Sequence, residues 1–232
     1  MNTIRIRYCF TLDTGSNEIF DTHLNADTME MISQVSDSVP GWTKLDFHQC
    51  AHCPLASDDD ARCPVALSLM EVVQRFGDIL SHDSVDLKVI VDEREVRQHT
   101  SAQRGLSALI GLRMATSGCP HMDFFKPMAR FHLPLASEEE TIFRVIGMYL
   151  LAQHVLNEQG QQIDPTLSGL KTIYENVHQL NASIANRLRA ATQNDSSVNA
   201  LVLLDLFTLS LSATIDDKLE DIRHWFTPHS MI

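Results

Sequence analysis

The sequence has few positive charges and no run of them. Eighteen Lys and Arg residues stand against 30 Asp and Glu residues, which gives a formal net charge of −12 over 232 residues. A chain with this charge is repelled at long range by nucleic acid and by anionic membrane surfaces. We therefore expect neither nucleic acid nor a membrane among its partners.

Long hydrophobic runs and targeting segments are also missing. The most apolar stretch, residues Val198 to Ala213, is shorter than the roughly 20 residues of a membrane-spanning helix, and it contains Asp205. The N-terminal residues MNTIRIRYCF lack the basic region, apolar segment and cleavage site of a signal peptide. These features predict a cytoplasmic protein, in which thiols stay reduced.

The first hundred residues have the patterns of a β-sheet. Apolar and polar residues alternate from Ile4 to Leu12, which is typical of a strand with one buried face. A helix is predicted at 64–80. Runs rich in strand-forming residues predict further strands at Ile19 to Leu24, Trp42 to Phe47, Val85 to Val91 and Glu95 to His99.

From residue 101 onward the pattern is helical. Short Gly, Pro, Asn, Asp or Ser punctuation separates five segments, which cover 101–116, 121–131, 137–159, 166–193 and 196–226. Long helices joined by short loops pack as antiparallel neighbours in a bundle. The predicted fold class is therefore α+β: an N-terminal antiparallel β-sheet, 1–100, packed on a C-terminal helical bundle, 101–232, as one compact unit.

Four of the five cysteines lie in segments that indicate a shared metal site. Cys50 and Cys53 form a CxxC pair in HQCAHCP, Cys63 follows in CPVA, and Cys119 lies far downstream in SGCPH. A CxxC turn lets two thiolates bind one ion while backbone amides hydrogen-bond to the sulfurs. The fifth, Cys9, stands alone on a predicted strand and is interpreted as structural.

Proline follows three of these four cysteines directly. Because proline suits the first position of a helix, Cys63-Pro64 and Cys119-Pro120 predict that each cysteine is at or beside a helix N-cap. A sulfur there faces free backbone amides and the positive end of the helix dipole, which favours a metal-bound thiolate. Two helices would then point their N-termini at one metal.

The ligand set and the metal stay open. His48, His52 and His121 each lie within two residues of a cysteine, so three cysteines with one histidine are as acceptable as four cysteines. Cys-Pro is a feature of bacterial ferredoxin ligands, which slightly favours a [4Fe–4S] cluster, whereas zinc accepts the same four thiolates. Without a metal, the same residues would be unconnected buried cysteines.

The helical half contains a weaker candidate site. Glu175 and His178 have the ExxH spacing of carboxylate-bridged di-iron bundles, but the sequence contains no second copy. Asp205 is costly to bury alone, so it either meets a cation such as Arg144 or Arg130 or contributes to a site.

The segments HQCAHCP, RCPVALSL, ATSGCPHMDFFKPMARFHLPLAS and NALVLLDLF together resemble a bacterial protein family of unknown function and similar length. The resemblance covers nearly the whole chain, and the cysteine motifs are its most specific part. It implies a stand-alone cytoplasmic protein and transfers no catalytic residue to this sequence.

Two functions fit these observations most directly, and catalysis stays open. The first is a cytoplasmic metal-binding protein whose four-cysteine centre joins sheet and bundle, as a [4Fe–4S] redox or sensor protein. The alternative is a non-enzymatic interaction protein with a structural zinc site. A third hypothesis is an enzyme with a bundle site around Glu175, His178 and Asp205. A partner protein, a homodimer through an apolar helix face, and a monomeric bundle are all compatible with the helical pattern.

Overall fold

We describe the protein from a computed structural model. The structure describes residues 2–32, 39–56, 61–76, 81–191 and 196–216, together with Leu219, His224 and Phe226.

The strands form one four-stranded antiparallel sheet, in the order β2-β1-β3-β4. Alternation along the central strand β1 turns Ile6, Tyr8 and Phe10 to the buried face, where all three are fully covered. In register, Tyr8 lies between Phe20 and Val89. The strands are β1 (Thr3–Leu12), β2 (Asn17–Asn25), β3 (Ser84–Val91) and β4 (Arg94–Ser101).

The helices lie mostly after the sheet, and the predicted fold class is confirmed. One helix precedes β3, as predicted, and the other long helices follow β4. The α-helices in the described ranges are α1 (Pro64–Arg75), α2 (Ala102–Ala115), α3 (Lys126–Arg130), α4 (Glu138–Glu158), α5 (Ser168–Ala191) and α6 (Ser196–Asp216). Residues 77–80 and most of 217–226, which we predicted to be helical, lie outside the described residues.

The strand predicted at Trp42 to Phe47 is wrong. Gly41–Thr43 forms a short 3-10 helix, and Lys44 makes only an isolated bridge, with Arg62. The carbonyl groups of this segment accept hydrogen bonds from a buried arginine of α5, as described below, so they are not available to a neighbouring strand.

The helix predicted at 121–131 is divided in two. Pro120–Phe125 is a 3-10 helix, and α3 begins directly after it. Pro127 explains the division, because it has no backbone N–H and cannot continue the hydrogen-bond ladder of a preceding helix.

The chain divides into two compact units. The first comprises Met1–Leu135 with Gln179–Leu204, and it contains the sheet, α1 to α3 and the adjoining parts of α5 and α6. The second comprises Ala136–His178 with Asp205–Ile232. No helix in the described ranges is both long and apolar enough to cross a membrane.

An aromatic cluster forms the centre of the first unit. The rings of Phe10 and Phe76 meet edge to face with centroids 4.9 Å apart, and Phe20 packs against both. Helix α2 lies close to this cluster, because Gly105 leaves room for the Phe10 ring. The sheet therefore buries one face against α1 and α2.

In the second unit, α4 begins with a capping box. The Ser137 hydroxyl accepts from the backbone N–H of Glu140, and the Glu140 carboxylate accepts from the backbone N–H of Ser137. Two of the unbonded donors at this helix start are thereby satisfied.

Candidate metal centre

The CxxC pair lies in a tight turn after the isolated bridge of Lys44. The backbone N–H of Cys53 donates to the carbonyl of Cys50 at 3.0 Å, and both side chains are half-buried. Such a turn projects two thiols from one short segment.

Cys63 and Cys119 both lie at helix starts, and this prediction is confirmed. Cys63 is the N-cap of α1, and Cys119 is the N-cap of the 3-10 helix Pro120–Phe125. Each has an extended backbone conformation and is followed by proline at the first helical position, and each side chain is buried. The Cys63 N–H donates to the Thr43 carbonyl at 2.8 Å, which joins this helix start to the segment that leads into the CxxC turn.

The structure brings the four predicted cysteines into one neighbourhood. Burial raises the pKa of the Cys119 thiol to about 12, and the backbone N–H of His121 partly opposes that rise. Negative charge on Cys63, Cys50 and Cys53 raises the pKa of Cys119 further. These groups therefore lie close enough to act on one another electrostatically, although they come from three separate segments.

Cys50 experiences the same surroundings. Burial raises its pKa, and a hydrogen bond from Ser183 of α5 lowers it. Charges on Cys63 and Cys53 raise it again, and the positive charge of Arg187 lowers it. Helix α5 therefore contributes both a hydroxyl and a cation to the cysteine cluster.

The thiols are neighbours, but they do not stand in ligating positions. Within the part of the chain that the structure describes, no three His, Cys, Asp or Glu side chains are arranged to hold a metal ion. All five cysteines have free thiols. Metal binding by Cys50, Cys53, Cys63 and Cys119 therefore stays a prediction.

The three candidate histidines have different positions. His48 is exposed and has a positive φ of 49°. His52 and His121 lie against each other with ring centroids 4.2 Å apart, and Nε2–H of His121 donates to the His52 carbonyl at 3.0 Å. Through this bond, the His121 ring joins the CxxC turn to the helix start at Cys119.

Arg187 is part of the cluster, and sequence reasoning missed it. Its side chain is only 1% exposed. Nη1 donates to the carbonyls of Trp42 and Lys44 at 2.6 and 2.5 Å, and Nη2 donates to that of Leu45 at 3.3 Å. One signal was available: Arg187 follows Ile184 by three residues, at a spacing that places it on the apolar face of α5.

The electrostatic surroundings of Arg187 consist largely of cysteines. Burial lowers its pKa, while negative charge on Cys63, Cys50, Asp46 and Cys53 raises it. Asp46 acts on the guanidinium through its charge and not through a hydrogen bond, and the buried Nε has no hydrogen-bond partner among the described residues.

The second candidate site has two of its three residues in contact. Nδ1 of His178 lies 3.0 and 2.9 Å from the two carboxylate oxygens of Asp205, within the second unit. Asp205 therefore has a histidine partner, whereas Arg130 pairs with Asp92 at 3.7 Å. Glu175 is exposed, so the pair is explained as an α5–α6 contact rather than as a metal site.

A family model described as "Domain of unknown function (DUF6901)" matches residues 6–227, and the chain belongs to this family. The resemblance inferred from the cysteine motifs is thus confirmed for nearly the whole chain. Neither the curated proteins nor the solved structures contain a significant match to it.

Proposed function

We propose that the chain is a metal-binding protein in which Cys50, Cys53, Cys63 and Cys119 hold a [4Fe–4S] cluster for redox or sensing. The observation that carries this proposal is the convergence of four thiols from three segments of the first unit. Cysteine is often buried for packing alone. Four cysteines that act on one another electrostatically beside a buried cation are better explained by a common ligand.

The local structure supports thiolate ligation. Cys63 and Cys119 are both helix N-caps, where the free amides of the first turn favour negative charge on sulfur. The Cys119 sulfur is already close to the amide of His121. Staggered χ1 rotamers offer each cysteine alternative sulfur positions, among which a metal would select those that face it.

A cluster held in this way would act as a one-electron carrier. The thiolates of Cys50, Cys53, Cys63 and Cys119 would hold the iron core, which would supply one-electron transfer between a reduced donor and an acceptor. Iron–sulfur clusters and free thiols both persist in a reducing compartment, which is why we place the protein in the cytoplasm.

The second candidate is an interaction protein with a structural zinc ion in the same cysteines. Residues 44–56 contain little regular secondary structure, although they carry the CxxC pair. A zinc ion bound by Cys50 and Cys53 together with the two helix-start cysteines would fix this segment, and metal binding would then contribute to folding. The helical surface would bind the partner.

The experiment is metal analysis after anaerobic purification. A brown protein with charge-transfer absorption, iron and acid-labile sulfide indicates the cluster, whereas a colourless protein with stoichiometric zinc indicates the second candidate. The variant Cys119→Ser should lose the metal, since it removes the ligand from the distant segment. The matched variant Cys9→Ser should keep it, because Cys9 lies on β1 outside the cluster. Protein without metal would contradict both candidates.

A further inference from the structure

The first unit buries two arginines, and they differ in their partners. Arg113 of α2 is 4% exposed, and its Nη2 donates to the carboxylate of Glu71 at 2.8 Å. Arg187 of α5 is buried more deeply, but its hydrogen bonds go to neutral carbonyl oxygens. One buried cation is thus hydrogen-bonded to a carboxylate, and the other is hydrogen-bonded to carbonyl groups.

This difference has an energetic consequence. Burying a charge is costly unless an opposite charge and hydrogen bonds compensate it. The carbonyls of Trp42, Lys44 and Leu45 provide part of that compensation for Arg187. Asp46 also acts on this charge, but Asp46 is exposed, and the buried Nε of Arg187 has no hydrogen-bond partner among the described residues.

The groups that can supply the missing charge are the cysteines. Arg187 donates to the carbonyls on either side of Thr43, and the Thr43 carbonyl accepts from the Cys63 N–H at 2.8 Å, so the guanidinium lies beside the start of α1. Negative charge on Cys63, Cys50 and Cys53 acts on it there. Four thiolates around a doubly charged core, whether zinc or [4Fe–4S], leave a dianion, whereas three thiolates and one neutral histidine around zinc leave a monoanion. A buried cation favours the more negative of these ligand sets.

We infer that Arg187 is the counter-ion of the metal-loaded centre and that it selects a ligand set of four thiolates over three thiolates and a histidine. This inference rests on the proposed metal site. The use of His121 Nε2 in the bond to His52 agrees with it, because that nitrogen is not available to a metal.

Arg187 also positions the ligands. Its guanidinium binds the carbonyls of Trp42, Lys44 and Leu45, which are close in sequence to the CxxC pair. Ser183, one turn earlier on the same helix, lies close enough to Cys50 to lower its pKa. Helix α5 therefore orients the CxxC segment and supplies the charge that favours its thiolates, as residues around metal ligands commonly do.

The test is an anaerobic titration of metal-free protein with cobalt(II), in competition with a chelator. Arg187→Gln should weaken cobalt affinity by about 10- to 100-fold, the usual effect of losing a residue that supports metal ligands. Arg187→Lys keeps the positive charge and should bind more tightly than Arg187→Gln. Arg113→Gln removes the other buried arginine, so it should lower stability while cobalt affinity stays at the wild-type value.

The outcomes separate this inference from the proposed function. Failure of the wild-type protein to bind either cobalt or its native metal contradicts the metal site itself. Wild-type binding that Arg187→Gln leaves unchanged would overturn only the role of Arg187. The ligand count is read on the wild type, which needs no variant to fold: the intensity of sulfur-to-cobalt charge transfer should correspond to four thiolates, and three would overturn the inference.

Discussion

Nε2–H of His121 donates a hydrogen bond to the backbone carbonyl of His52 at 3.0 Å, across 69 residues of sequence. The bond joins the turn between Cys50 and Cys53 to the helix start at Cys119. The backbone N–H of His121 also acts on the Cys119 sulfur. His121 therefore connects the CxxC turn to the helix start at Cys119.

Replacement of this histidine should loosen the cluster. His121→Ala removes the bond to His52, so the CxxC turn loses a direct connection to the helix start, and we expect metal affinity to fall about tenfold. Competition with a chelator measures the change. His154→Ala is the matched control, because His154 is exposed on α4 in the other unit and should leave metal affinity unaltered. Equal affinities in the two variants would refute a role for His121 at the centre.

The positions of Cys63 and Cys119 could be predicted because the signal is local. A proline directly after each of these cysteines favours a helix start, because its fixed φ suits the first helical position and its missing N–H is not needed there. The strands were predictable for a similar reason. Apolar and polar residues alternate along β1, because one face of the strand is buried and the other is exposed.

The partners of Arg187 were not predictable, because backbone carbonyls have no sequence signature. Its guanidinium binds the carbonyl of Trp42, 145 residues earlier, and every residue has a carbonyl. The same contact explains why the strand predicted at Trp42 to Phe47 does not form. Side-chain pattern alone could not show that a distant arginine uses the backbone acceptors of that segment.

Asp164 should make the second unit sensitive to acid. Its carboxylate accepts from the side chain and backbone N–H of Thr166, from the backbone N–H of Gly169 at the start of α5, and from the hydroxyl of Tyr149. These hydrogen bonds, first of all that of the Thr166 hydroxyl, hold the pKa of Asp164 well below its usual range. The unfolded chain then binds the proton more readily than the folded one. The stabilisation is therefore fully present above the ordinary carboxyl pKa and is lost as pH falls below it.

Asp164→Asn should remove that dependence and cost roughly 0.3–1 kcal/mol at neutral pH, because it removes a negative charge from the N-terminal end of α5. Urea unfolding from neutral pH down to about pH 2 measures both effects, with the variant losing less stability over the acid range. Tyr149→Phe is the control, because it deletes one hydrogen bond and leaves the backbone donors. The prediction fails if Asp164→Asn and wild type show the same acid dependence.

Two helical glycines should respond to alanine in opposite directions. A Cβ on Gly105 would lie 2.7 Å from Cε1 of the buried Phe10 and 3.2 Å from Cδ2 of Leu87. Overpacking of this kind costs about 1–3 kcal/mol, which outweighs the gain in helix propensity of up to about 1 kcal/mol. A Cβ on Gly147 of α4 would meet no atom within 4 Å, so only the gain applies. Denaturant unfolding should show Gly105→Ala less stable than wild type and Gly147→Ala more stable; the reverse order would disprove the packing argument.

The contact between His178 and Asp205 should stabilise the second unit, because it joins α5 to α6 through a carboxylate that is mostly buried. A double-mutant cycle with His178→Ala and Asp205→Ala, measured by urea unfolding, should give a coupling of about 0.5–1 kcal/mol. The lower end of the usual range applies because the His178 side chain is 44% exposed.

The pair His154 and Glu158 supplies the control: its atoms lie 3.6 Å apart on the exposed surface of α4, and its coupling should be close to zero. If the two couplings are equal, the contact is no stronger than a surface pair, and burial of Asp205 has to be offset by other groups.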